Sequence, residues 1–331
     1  MGAGVLNIQH DSALGTVAGG TQVANSARLE VQGGITVTGE TLTLSGPGGT
    51  GNDVFGALRG MTGSNTWAGN VVLNTAGTRI GTNAAGATLT ISGPISSAVA
   101  NTGLVVRNRF ADAVVVLSAA NTYSGSTQLI YGTTRLDGGD DRLPVTTSLL
   151  LGGTTVSGIL DLNGRNQEVA GLSVSGTGVS NEIKSAAPAT LTVNTAAASP
   201  STYSGLITGA AALAKKGPDT LTLTGANTYT GTTTVQEGTL LINGSTASTG
   251  LINVSALATL GGSGSGGNVA VADGGILAPG TATVHQFTLN DLTLGSGSIL
   301  SFELDAPDPS INVQNDYLNS PATCCWTVSS R

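Results

Sequence analysis

Residues 220–244 read TLTLTGANTYTGTTTVQEGTLLING, and three short signals follow one another in this stretch. Leu221 and Leu223 alternate with threonines, and Leu240 and Ile242 flank Leu241 in the same way. Alternation with a period of two marks a half-buried strand, one face apolar and the other polar. The breaks at Gly225-Ala226-Asn227 and Asn243-Gly244 supply residues that tolerate positive φ. Leu221, Leu223, Val235, Leu240 and Ile242 are therefore expected to point inward, and Thr222, Thr224 and Thr239 outward.

The same order recurs elsewhere. VVVLSAANTYSGSTQLIYGTTRLDG occupies 114–138, and a more worn copy, MTGSNTWAGNVVLNTAGTRIG, occupies 61–81. Strands of the form T-L-T-[LI]-[ST]-G lie at 41–46, 88–93 and 220–225. N-T-[WY]-x-G begins at Asn65, Asn121 and Asn227, with STYSG from Ser201 as a relaxed form. Glycine-led strands start at Gly77, Gly132 and Gly238, which lie 12, 11 and 11 residues after those asparagines. Chance composition does not preserve order and spacing together.

Units of this size cannot bury an apolar face alone, so they imply a stacked array. No segment sustains the i, i+3, i+4 spacing of an amphipathic helix. Short strands could also build a sandwich or a barrel. Repetition favours like strand on like strand, Leu on Leu and Thr on Thr, at roughly 20–25 residues per coil. The expected fold is all-β, a right-handed parallel β-helix (β-solenoid), because parallel crossovers are right-handed in about 98% of cases.

These phrases closely resemble the autotransporter-associated β-strand repeat of bacterial autotransporter passengers. LTLTGANTYTGTTTVQEGTLLING is near a consensus copy of that repeat. LGGSGSGGNVAVADGGILAPG at 260–280 and LNDLTLGSGSILSFELD at 289–305 are similar to the material that follows it. Tyr131 and Pro144 stand where the family has glycine, so local register is expected to be irregular there. The resemblance implies a non-catalytic extracellular or cell-surface stalk and says little of what it binds. Adhesion to glycans or surfaces is one role open to it, a carbohydrate-binding surface module is the alternative reading, and a β-helix polysaccharide hydrolase or lyase is the third. The resemblance also implies a membrane barrel or other anchor C-terminal to this segment in the full-length protein.

One solenoid of degenerate repeats is expected over residues 1–319, with a non-family tail at 320–331. The tail holds both cysteines, Cys324 and Cys325, and lacks glycine. It is read as out-of-frame translation, or else a disordered terminus, and the chain as a fragment truncated at both ends.

Composition limits the function. The 331 residues include 50 glycines but only 9% charged residues, against about 25% in an average globular domain. A formal net charge of −7 argues against nucleic acid and anionic membranes, which require a basic patch. No window approaches the roughly 20 apolar residues of a membrane helix. The N-terminus has neither the basic flank nor the apolar core of a signal peptide.

Candidate sites are few. Asp137, Asp140 and Asp141 could bring carboxylates to Ca²⁺, although EF-hand spacing is missing and a solvated loop is the simpler reading. Trp67, Tyr123, Tyr203 and Tyr229 hold equivalent places in their repeats, as an aromatic ladder that either packs internally or stacks on sugars. Gly262 to Gly267 satisfies G-x-G-x-x-G, but a strand-like run follows where a dinucleotide loop needs a helix.

His10 and His285 lie too far apart in sequence to converge in a linear array, and no basic partner is apparent for any serine or threonine. Asp53, Asp112, Asp161 and Glu168 are scattered, whereas a glycosidase needs a facing carboxylate pair. Lys215-Lys216, after an apparently strand-poor stretch at 209–214, reads as a solvated pair. No cofactor and no catalytic or metal residue is expected.

Overall fold

The structure, a computed structural model, describes residues 4–247, 249–280, 286–302 and 317–319. The 320–331 tail, both cysteines and His285 lie outside the described residues. Among those described the chain is all-β with no helix, and parallel strands stack as a β-solenoid of about 13 turns. Spatial clustering divides it into two compact units. One holds residues up to 169 together with 174–183; the other holds 170–173 together with residues from 184 onward.

The first unit has three parallel ladders. The first runs through Gly4–Ile8, Ala27–Val31, Leu58–Gly60, Arg79–Thr82, Leu104–Arg107 and the start of Thr127–Leu136. The second stacks Thr21–Val23, Leu42–Leu44, Val71–Leu73 and Ile95–Ser97. The third stacks Thr36–Val37, Ser64–Trp67, Thr88–Ile91, Val114–Leu117, the end of Thr127–Leu136, and Gly158–Asp161. Thr127–Leu136 thus turns a corner and serves two ladders. The corner falls at Gly132, where φ is 71° and an added Cβ would lie 2.6 Å from Asn108 Nδ2. That position requires the glycine of the motif.

In the second unit one ladder is a column of leucines. Leu221 pairs with Leu240, Leu240 with Leu260, Leu260 with Leu277, and Leu277 with Leu300. A second ladder stacks Leu213–Lys215 on Thr233–Val235, Leu251–Val254, Asn268–Val271 and Asp291–Leu294. The third side runs through single parallel bridges, Ala226 to Ser245 to Ser265 to Thr288, and ends in a three-residue parallel pairing of Gln286–Thr288 with Tyr317–Asn319. One isolated antiparallel bridge joins Gly262 and Gly280.

The inward set is as the alternation requires: Leu221, Leu223, Val235, Leu240 and Ile242 are fully buried, while Thr222 and Thr239 are half-buried and Thr224 is exposed.

Three expectations are corrected. Leu does stack on Leu and Thr220 on Thr239, but the partners are the first and third strands of one phrase. Val114–Leu117 likewise pairs with Thr133–Leu136. These two phrases therefore each wrap one coil and land on themselves. In the 61–81 copy, by contrast, Ser64–Trp67 pairs with Thr88–Ile91, and Arg79–Thr82 with Leu58–Gly60 and Leu104–Arg107. Separate copies are not neighbours. Coil length also varies more than a strict repeat implies. Leu42, Val71 and Ile95 mark coils of 29 and 24 residues, whereas Thr220, Thr239, Thr259 and Ile276 mark coils of 19, 20 and 17. Loops absorb the difference, because only strand register is constrained by the core. The stretch 209–214 is no gap in the sheet but the middle of a long strand, Leu206–Lys216.

Register is irregular at Tyr131. Between Val106 and Arg107 the partner strand advances from Leu129 to Tyr131, so Ile130 is an extra residue.

Candidate functional sites

The N-T-[WY] motif is explained by its asparagine. Asn121 Oδ1 accepts the Ile95 N–H at 2.7 Å from the preceding coil, and its Nδ2 donates to Arg142 O at 2.7 Å in the next. Asn227 repeats this, accepting from Ile207 N at 2.9 Å and donating to Gly225 O at 3.0 Å and Ser245 O at 3.2 Å. Asn65 accepts from Gly34 and Ile35 and donates to Thr62 O. A buried amide with both ends satisfied holds one coil to another where the ladder itself is broken. Asn227→Ala is expected to cost roughly 2–3 kcal/mol, since it strands a buried N–H as well as losing the bonds. The check is hydrogen exchange at the Ile207 amide, which should lose its protection.

The four aromatic residues are enclosed, Trp67 and Tyr203 at 0% exposure and Tyr123 and Tyr229 at 1% and 2%. The rings therefore present no face to a sugar. Nor do they form a ladder: Trp67 sits between Val37 and Ile91, and Tyr203 pairs with Leu223. Tyr123 and Tyr229 do share an environment, each phenol bonding the threonine four residues on, Thr127 and Thr233. Thr127 continues to Thr147 at 2.9 Å. Burial pushes the Tyr229 phenol up to about 12 and raises Tyr123 further, the threonine hydroxyl opposing in each case.

Asp137, Asp140 and Asp141 face donors of the following coil. Asp140 binds the Asn166 N–H at 2.8 Å and the Asn166 amide at 2.9 Å, which holds its carboxyl below the usual range. Asp141 accepts from Glu168 N at 2.8 Å, and Asp137 pairs with Arg165 at 3.3 Å. Among the described residues no three His, Cys, Asp or Glu side chains are grouped to hold a metal.

Gly262 to Gly267 leads directly into the strand Asn268–Val271. An added Cβ at Gly264 would stand 1.9 Å from Gly244 O, so that glycine serves close coil packing. One serine does meet an imidazole. The Ser12 hydroxyl lies 3.0 Å from His10 Nδ1, but the Ser12 N–H occupies the same nitrogen at 3.2 Å, in an exposed turn.

Lys215 is not solvated. Its side chain is fully buried, and Nζ donates to Lys216 O and Gly217 O at 2.8 Å and Glu237 O at 3.1 Å. All three ammonium protons are used to close the turn before Pro218. Burial pushes the group from 10.5 down to about 8, with Asp219 and Glu237 opposing.

The sequence reading missed a group of arginines in the first unit. Arg59 is fully buried and fastens the loop that precedes it: Nε donates to Gly56 O at 2.9 Å, Nη2 to Gly48 O and Asp53 O at 2.8 Å, and Nη1 to Asp53 Oδ1 at 2.6 Å. The other Asp53 oxygen takes Arg28 at 2.7 Å, and Arg28 also holds Glu30 at 2.8 Å. Burial raises the Asp53 carboxyl, but the Arg59 hydrogen bond and the charges of Arg59, Arg28 and Arg109 outweigh it and leave it lowered. The Phe55 ring lies under three guanidinium carbons, 4.8 Å from Arg107, 5.6 Å from Arg109 and 5.9 Å from Arg59. The available sequence signal was concentration: with 12 Lys and Arg in the chain, five arginines fall between 28 and 109.

Coils closed by internal Asn and Tyr–Thr bonds, around a leucine core, define a repeat-built β-helical scaffold. The passenger-associated-transport-repeat family model matches residues 113–139 and 213–242, each running from just before a phrase's first ladder to its glycine-led strand. The chain carries this repeat and is an autotransporter passenger-like β-helical protein.

It is 46% identical over 82 residues to the adhesin BmaC autotransporter of Brucella suis biovar 1 (strain 1330), covering 24% of this chain and 2% of that protein. It is 35% identical over 127 residues to an extracellular serine protease of Serratia marcescens, covering 38% of this chain and 12% of that one. The chain thus spans a small fraction of either relative. No solved structure matches it.

Proposed function

We propose that this chain is a non-catalytic length of an autotransporter-type passenger, displayed at the bacterial surface or released, where it acts as an adhesive stalk. The full-length protein would carry a membrane barrel or other anchor C-terminal to it. The observation that carries this reading is the self-stacking phrase: the copies at 114–138 and 220–244 each close one coil with bonds internal to the scaffold, which suits a building element. The similarity to an adhesin supports the adhesive part, and the names of both relatives support a surface or released location. Polar groups at the candidate sites are engaged in holding coils together, which supports a scaffold over an enzyme.

The whole reading frame, expressed in a Gram-negative host, tests this. Residues 4–319 should be reached by added protease on intact cells, and cells should adhere to glycan-coated or abiotic surfaces more than cells lacking this segment. Retention inside the cell, or equal adherence with and without the segment, overturns it. Peptide or oligosaccharide release by the purified chain overturns the non-catalytic part.

A further inference from the structure

The arginine group of the first unit borders a groove of about 290 Å³, lined among others by Arg79, Arg107, Gln128, Ile130, Thr154 and Ser175. This is near the small end of ligand pockets, about 300–1,000 Å³. Another groove in the same unit, about 360 Å³ beside Gln22 and Asn74, has no ionisable side chain in its lining. Charge singles out the first.

Two guanidinium groups line this groove, and among the described residues neither takes part in an ion pair, although the protein is acidic overall. The nearby carboxylates are committed, both oxygens of Asp53 to Arg59 and Arg28, and Glu30 to Arg28. Arg79 donates from Nη1 to Val54 O at 2.9 Å, while its Nε is buried and makes no hydrogen bond. Burial, and then the charge of Arg107, lowers the Arg79 pKa; burial lowers that of Arg107. Like charges that are part-desolvated together repel, and an oxyanion would relieve both costs.

The fold builds this place deliberately. The loop fastened by Arg59 brings Val54 O to Arg79 and the Phe55 ring to Arg107, and the extra residue Ile130 disturbs the ladder beside Arg107. Bulges of this kind re-aim side chains at functional surfaces.

We propose that the Arg79–Arg107 groove binds the carboxylate or sulfate of an acidic saccharide. The planar guanidinium fork matches either oxyanion in two-point fashion. The hydroxyls of Thr154 and Ser175 and the Oε1 of Gln128, whose Nε2 is held by Gly152 O at 3.1 Å, offer partners to sugar hydroxyls, and Ile130 and Val156 supply an apolar wall. A nucleic acid is disfavoured because its dense backbone charge would meet the acidic remainder of the surface. The proposal gives the adhesive reading a ligand class and rests on that reading for its biological role. The binding itself is measured on the purified chain, so its failure leaves export and display untouched, and failed display leaves the binding result standing.

The experiment is titration calorimetry of the purified chain with a sulfated oligosaccharide, an oligogalacturonate, a neutral dextran oligomer, inorganic sulfate and a DNA duplex. At least one acidic oligosaccharide should bind, with affinity falling as salt rises, and better than inorganic sulfate or dextran. Arg107→Gln and Arg79→Gln should each weaken it tenfold or more, Arg107→Lys should weaken it less, and Lys184→Gln should leave it unchanged. Because Arg79 also braces Val54, a measurement on the unsubstituted chain accompanies these: the acidic ligand should slow phenylglyoxal modification of Arg107. Binding that is absent, equal for dextran, strongest for DNA, satisfied by sulfate alone, or unaltered in Arg107→Gln overturns the proposal.

Discussion

Leu223→Asp should destabilise the second unit by about 4 kcal/mol or more, while Thr222→Asp should cost under about 1 kcal/mol. Leu223 is fully buried, with Tyr203 on one side of it in the ladder and Ile242 on the other. Truncation of a buried leucine alone costs about 2–5 kcal/mol, and a carboxylate adds desolvation with no cation in register to answer it. Thr222 is half-buried on the opposite side of the same strand, between Thr202 and Leu241. Its substitution keeps the strand backbone and places the new charge at solvent. Urea melts of the two variants check this, and equal losses would mean that the faces are reversed.

Stability should rise by roughly 2–3 kcal/mol between pH 7 and pH 10, and this rise should vanish in Lys215→Met. The sign follows from linkage. Lys215 takes up its proton at about 8 when folded but at the ordinary 10.5 when unfolded. Between those values the unfolded chain binds more protons, so raising the pH removes a penalty carried by the folded state. Below about pH 8 the penalty is fully present. The measurement should stop near pH 10. Above it the Tyr229 phenol, raised to about 12, works in the other direction, because the unfolded chain then loses its phenol protons first. Denaturant midpoints across this range provide the readout, and the slope is diagnostic whatever Lys215→Met does to stability at any single pH. An unchanged slope in the variant would place the titrating group elsewhere.

The two residues show opposite sides of one rule. Leu223 is buried because the alternation puts it on the inner face, which any reader of the strand can see. Lys215 is buried at the end of a strand, where its ammonium closes a turn and answers the Gly217 and Glu237 carbonyls. Only the paths of Gly217 and Glu237 reveal that requirement.

The fold class, the strands of each phrase, the inward leucines and the need for glycine at Gly132 were all legible in the residues. Each depends on local periodicity or on a backbone angle that few residues tolerate. So was the irregular register at Tyr131, because a bulky residue stood where the repeat has glycine.

Which strands stack was not legible there. Coils of 17 to 31 residues are set by loop lengths, and so in two of the phrases the first strand meets the third strand of the same phrase. The aromatic residues recur at one motif position, yet their burial, and the threonine partners of Tyr123 and Tyr229, depend on where that position falls in the coil. The arginine groove was illegible for the same reason. Arg79 and Arg107 are separated by 28 residues and carry no shared motif, and they line one groove only because parallel stacking returns the chain to the same face after each coil.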